Sequence, residues 1–133
     1  MRNYKELQVW QKTKNFAVTL YRVTEKFPRT EQFGLMSQIR RAATSVPANI
    51  AEGWGRQCTK EYIHFLTVAR GSLMELETHL VIAGDLAYLN PDQLRDSQHE
   101  VEGIGQLLNR LIQALQARRA SSPKPESQTP KPD

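Results

Sequence analysis

"SVPANIAEGWGR", residues 45–56, sets a proline and two glycines inside a stretch whose apolar spacing is helical. Pro47 has no amide hydrogen, and its ring crowds the carbonyl four residues back, that of Ala43. In an exposed helix interior this costs ~3 kcal/mol. The chain therefore either begins a new helix at Pro47 or carries one helix through it. Leu35, Ile39, Ala42, Ala43, Val46, Ile50 and Trp54 keep a single apolar phase on both sides of the proline. A helix starting afresh at Pro47 would be free to lose that phase. The pattern predicts one helix over about residues 32–55, kinked at Pro47, against the alternative of a break there. Thr44 or Ser45 can help to satisfy freed carbonyls, and Asn49, at the edge of the stripe, can bond the backbone near the kink. Gly53 and Gly55 then unwind the helix end and turn the chain.

Outward from this helix, three more segments carry the same period and none shows strand alternation. Upstream, Leu7, Trp10, Ala17, Leu20, Thr24 and Phe27 mark a helix from about Glu6 to Phe27, stopped by Pro28. Downstream, Thr59 is the expected N-cap of a helix with the stripe Tyr62, Leu66, Ala69, Leu73, Leu76, Leu80 and Ala83, closed by Gly84. "DLAYLNPDQ" reads as a turn, with Asn90 capping a last helix that starts at Pro91. Its stripe is Leu94, Val101, Leu108, Ile112 and Leu115, and Arg118 and Arg119 complement the negative end of its dipole. Four amphipathic helices on short loops predict an all-α, antiparallel up-down-up-down four-helix bundle. Gly71 and Ser72, in mid-helix, permit close approach of a neighbouring helix. Val9, Phe16, Ile63, Met74 and Val81 lie off the main stripes, a pattern that points to self-association.

The chain has 133 residues, enough for one domain, with 39% hydrophobic and 24% charged residues. No apolar run reaches the ~18 residues of a membrane span, and "MRNYKELQVWQ" has no apolar core of a signal peptide. Cys58 is the single cysteine, so no internal disulfide forms and a reducing cytoplasm is the simplest location. Residues 1–119 are assigned to the bundle. Residues 120–133, rich in Pro, Ser and Lys, lack large apolar side chains and read as a disordered tail.

Enzymatic chemistry finds little support. Glu61-x-x-His64 and Asp96-x-x-His99 have the spacing of a di-iron bundle site. At 100° per residue, however, Glu61 and His64 lie about 100° and 160° from the centre of their stripe, and Asp96 and His99 about 120° and 180° from theirs. All four point away from the core, so no metal is expected. Cys58 has no histidine paired with it in any catalytic pattern, and "GWGRQCTK" lacks both the spacing and the preceding strand of a phosphate loop. Neither a catalytic residue nor a cofactor is expected.

Charge is the remaining signal. Residues 1–60 hold 11 Lys/Arg against 4 Asp/Glu, residues 61–117 hold 3 against 8, and the rest 4 against 2. The segments thus carry +7, −5 and +2. One reading is that the two halves attract each other as the helices pack. The other is a basic surface meeting phosphates, with Lys12, Lys14, Arg22, Lys26, Arg40, Arg41 and Arg56 as candidates. Arg56 is also placed to pair with Glu52 one turn earlier. No base-stacking aromatic motif accompanies these cations. The alternative is a protein scaffold whose basic half docks an acidic partner.

The residues from Lys5 to Arg56, followed by "KEYIHFLTVARGSLMELETHL", resemble the four-helix bundle proteins encoded in 23S ribosomal RNA intervening sequences. The likeness spans residues 4 to about 116 and rests on "FGL" at 33–35, "SVPANIAEG" at 45–53 and the run from Phe65 to Glu75. The resemblance implies an up-down bundle that assembles as a homopentamer and has no established enzymatic activity. It also implies a likeness in fold to the accessory variability determinant proteins of diversity-generating retroelements. Those bind a reverse transcriptase and RNA or DNA through a basic surface.

Overall fold

A computed structural model describes residues 3–121. Four helices dominate it: α1 (Gln8–Thr24), α2 (Leu35–Trp54), α3 (Thr59–Asp85) and α4 (Pro91–Ser121). Single 3₁₀ turns lie at Tyr4–Glu6 and Arg29–Glu31, and the described residues contain no strand. Cross-helix contacts run in opposite senses for α2 with α3 and for α3 with α4. Arg41 reaches Glu75 while Ser45 reaches Ser72, and Arg70 reaches Asn109 while Gly84 meets Leu94. α2 and α3, and α3 and α4, are therefore antiparallel. The α2/α3 interface is the most extensive and the α1/α4 interface the slightest.

The four stripes meet in one core in which Leu20, Ile39, Ile50, Leu66, Leu80 and Leu108 have no exposed surface. Val9 and Phe16, expected off the stripe, are also in this core, because α1 is wrapped by α2 on one side and α4 on the other. Ile63 packs partly buried against it, whereas Met74 and Val81 stay exposed.

α2 runs through Pro47 without interruption. Pro47 is buried, so its ring packs within the bundle and is not in an exposed helix interior. Its polar neighbours are held locally. The Asn49 amide donates to the Ser45 carbonyl at 2.8 Å, and the Ser45 and Ser72 hydroxyls bond across to α3 at 2.9 Å. Thr44 donates to the carbonyls of Arg40 and Arg41, and not to that of Ala43, the one Pro47 leaves free. At the far end of α2, a Cβ on Gly53 would stand 2.9 Å from the Phe65 Cβ and 3.0 Å from the Tyr62 ring. Glycine is required there by close approach of α3, not by unwinding, since Gly53 is itself helical.

Several helix ends differ from expectation for identifiable reasons. α1 stops at Thr24 because the following turn tightens, with Phe27 N–H bonding the Thr24 carbonyl at 3.0 Å. Cys58, in extended conformation, precedes α3, and Thr59 is its first, buried residue. α3 does not end at Gly84. It continues to Asp85 and closes on Ala87 at φ 61°, with the Ala87 amide on the Gly84 carbonyl and the Tyr88 amide on that of Ala83. Gly84 instead makes room for Leu94, whose Cδ2 would lie 2.6 Å from an added Cβ. Gly71 meets nothing within 4 Å and faces outward, so the close approach lies at Ser72 alone. α4 extends to Ser121, past the expected boundary at 119, and the rest of the proposed tail lies outside the described residues.

Candidate nucleic-acid interface

The structure separates the seven candidate cations into two groups. α1, with the sequence QVWQKTKNFAVTLYRVT, contains no acidic residue. Core side chains claim one side of it, which leaves Lys12, Asn15, Thr19 and Arg22 exposed at spacings of three, four and three along a flank, the first three beside the α1/α4 seam. Lys12 and Arg22 stand roughly 15 Å apart along the axis, and neither makes an ion pair among the described residues. Lys14, on another flank, holds its ammonium 6.0 Å from the centre of the Trp10 ring. Lys26 continues the exposed side beyond the helix end. Below Lys12, a groove of about 390 Å³ opens along the slight α1/α4 seam, with Asp96 and Glu100 on its far wall.

The cations of α2 are engaged. Arg40 donates to the Tyr21 carbonyl and the Thr24 hydroxyl, both at 3.0 Å. Its guanidinium lies 4.5 Å from the Tyr21 ring centre and 3.7 Å from the Glu25 carboxylate. It thereby ties the first half of α2 to the last turn of α1. Arg41 donates to Glu75 at 2.7 Å and to Gln38 at 3.0 Å. Arg56 meets Glu52 at 3.3 Å, as the four-residue spacing predicted, and lies over the Phe65 ring. Asn49 donates to the Ser45 carbonyl, two residues before Pro47.

Sequence reasoning missed an aromatic surface. Between α1 and α2 lies a groove of about 670 Å³ lined by Tyr21, Arg29, Phe33, Met36, Arg40 and Arg41, among others. Phe33 is 90% exposed and Tyr21 42%. The turn beneath them is tied down through Glu31. One of its carboxylate oxygens accepts the Leu35 amide at 2.9 Å and the other the Tyr88 hydroxyl at 2.9 Å. Donation of its hydroxyl to the Glu31 carboxylate raises the pKa of Tyr88 above the usual tyrosine range. A Cβ on Gly34 would lie 2.6 Å from that carboxylate, so a glycine follows Phe33 to let Glu31 reach the start of α2. The available signal was that Phe33 falls outside the α2 stripe, next to a glycine.

Glu61, His64, Asp96 and His99 lie on the outer sides of α3 and α4, as their angles implied. Among the described residues no group of three His, Cys, Asp or Glu side chains is placed to hold a metal ion. Nor is any described helix long and apolar enough to cross a membrane. On α3, Val68, Met74, Val81 and Ile82 form an exposed apolar stripe around Gly71.

No curated protein matches this chain. Among solved structures it is similar to a protein of unknown function from the S23 ribosomal protein family of Bacteroides thetaiotaomicron VPI-5482. That similarity has 27% identity and a TM-score of 0.71, covering 78% of this chain and 97% of the other. The family model described as 23S rRNA-intervening sequence protein matches residues 5–110, which reach into all four helices. The chain belongs to the 23S rRNA-intervening sequence protein family.

Proposed function

We propose that this protein is a non-catalytic, self-associating bundle that binds nucleic acid through a basic surface centred on α1. One observation carries the reading: α1 has cations and no acid, and Lys12 and Arg22 stand exposed without a carboxylate partner among the described residues. Such a surface meets phosphates without reading bases, so affinity falls steeply with salt and varies little with sequence. Self-association draws support from the apolar stripe of Val68, Met74, Val81 and Ile82, which the single chain leaves uncovered. Several α1 surfaces in one assembly multiply contacts that are individually weak.

Binding of the full chain to labelled RNA and DNA duplexes, measured across a salt series, tests the first part. Binding that weakens with salt for both supports the reading, and absence of binding at low salt moves it to a scaffold for an acidic protein partner. Sedimentation equilibrium tests the second part. The expected mass is a multiple of the chain mass, five by the family resemblance, and a monomer at micromolar concentration would count against it.

A further inference from the structure

A phenylalanine exposed to 90% on a pinned turn is unusual. The hydrophobic effect gives it every reason to fold inward, and Phe27, a few residues earlier, does so. The turn does not leave Phe33 outside by being loose. Glu31 clamps it to the α2 amide of Leu35 and to Tyr88, and the Gly34 amide bonds the Glu31 carbonyl at 3.0 Å. Phe33 makes no ring contact among the described residues, so both faces of its ring are open.

The surroundings of that ring are cationic. Arg29 lines the same groove and makes no ion pair among the described residues. Arg41 gives one terminal nitrogen to Glu75 and Gln38 and keeps its remaining N–H groups. Against them the groove lining holds one acid, Glu25, which already faces Arg40. Rings and guanidiniums also occur together where copies of a protein meet, and the sedimenting mass below tests that outcome. With a single acid in the lining, a ring flanked by guanidiniums suits a flat π-system attached to an anion.

We propose that this groove takes an unpaired nucleotide of a single strand, with its base stacked on Phe33 and its phosphate on Arg29 and Arg41. The proposal rests on the nucleic-acid reading above and adds a preference to it. In a duplex the base faces are covered by their neighbours, and a protruding ring finds nothing to stack on. In a single strand every base offers a face, which gives binding with little sequence preference. The two surfaces divide the work: α1 attracts any phosphate backbone, and the Phe33 groove favours strands whose bases are free.

The full chain is titrated with labelled oligouridylate, the matching oligodeoxythymidylate and an RNA duplex of the same length. Phe33→Ala is expected to weaken both single strands by roughly 5- to 150-fold, the range for losing one stacked base, and to leave the duplex unchanged. Phe33→Trp restores the affinity, and its fluorescence is quenched on binding. An exposed side chain does not support the fold, so both variants keep the wild-type unfolding transition. Equal weakening for the two single strands assigns the contact to base and phosphate, and a larger one for RNA adds the 2′-hydroxyl. Wild-type single-strand affinity in Phe33→Ala, with duplex binding retained, overturns the groove and leaves the α1 reading standing. A change in the sedimenting mass of Phe33→Ala overturns it in favour of a contact between copies. Failure of the wild-type chain to bind any of the three probes removes both readings.

Discussion

α1 and α2 carry the same kinds of cation and use them differently. On α2 and just past its end, Arg40, Arg41 and Arg56 each find a carboxylate, and Arg40 adds a carbonyl, a hydroxyl and a ring. On α1, Lys12 and Arg22 project from a helix with no acid and make no ion pair among the described residues. The difference comes from position. α2 is inserted between α1 and α3, so its flanks always face a neighbour. α1 lies at the slightest seam of the bundle, where Lys12 lines a groove shared with Asp96 and Glu100 without an ion pair among the described residues, and Arg22 is exposed. A net charge of +7 over the first 60 residues is therefore the sum of cations held in ion pairs within the fold and cations without them.

The largest expected effect lies on the structural side. Arg40→Ala removes the donors of the Tyr21 carbonyl and the buried Thr24 hydroxyl along with the stacking on Tyr21. Bonds from a charged group contribute about 1.5–3 kcal/mol, so the variant should lose about 2–3 kcal/mol of stability. The exposed pair with Glu25 at 3.7 Å adds little to this. In urea the midpoint should fall with the slope unchanged. A stability within about 0.5 kcal/mol of wild type would place Arg40 with the free cations and erase the contrast.

The opposite result is expected on α1. Replacing Lys12, Lys14 and Arg22 together by Gln should change stability by less than about 0.5 kcal/mol, since these are exposed side chains without ion pairs among the described residues. Affinity for duplex DNA at low salt should fall roughly tenfold or more. The salt slope should shrink by about 2 to 3, close to one for each phosphate no longer neutralised. An unchanged slope, in a variant that folds normally, would remove α1 from the binding surface.

The polar belt around Pro47 gives the next contrast. Asn49→Ala leaves the Ser45 carbonyl without its side-chain donor and breaks a chain of bonds running through Ser45 to Ser72 on α3. About 1 kcal/mol of stability should be lost, against nothing measurable for Asn15→Ala, on the exposed side of α1. Equal effects at the two sites would mean that the bonds beside the proline add nothing to the helix.

Much of the bundle was legible because helical periodicity is a local property. The phase from Leu35 to Trp54 carried the reading through Pro47, and the structure has one helix there. Stripes on the other helices likewise named most of the core. What escaped depends on partners distant in sequence. Val9 and Phe16 look off-stripe until the neighbouring helices close over them, and Gly84 looks like a stop until Leu94 is seen against it. Ala87 in a left-handed conformation gives no sign in the sequence at all. The site suffered more than the fold, for the same reason. A guanidinium reaches far enough that its partner cannot be read from neighbours, so Arg40 and Lys12 look alike in sequence.

The smallest effect tests whether the line between the helices is sharp at Arg41. Arg41 and Glu75 form a close pair, 2.7 Å apart, with side chains 54% and 42% exposed. Pairs of that exposure contribute about 0.2–1 kcal/mol to stability, so Glu75→Gln should cost no more than that. The same change removes a negative charge beside the Phe33 groove and frees a guanidinium that already lines it. A unit charge some 8 Å from a phosphate in high dielectric is worth about 0.5 kcal/mol, which predicts roughly twofold tighter binding of a single strand at low salt. At high salt the gain should vanish, because charges a Debye length apart are screened. Adding Arg41→Gln to this variant should then return the affinity to wild type or below. Affinity in Glu75→Gln that stays at the wild-type value across the salt series would keep Arg41 wholly on the structural side, and would leave Arg29 as the cation holding the phosphate beside Phe33.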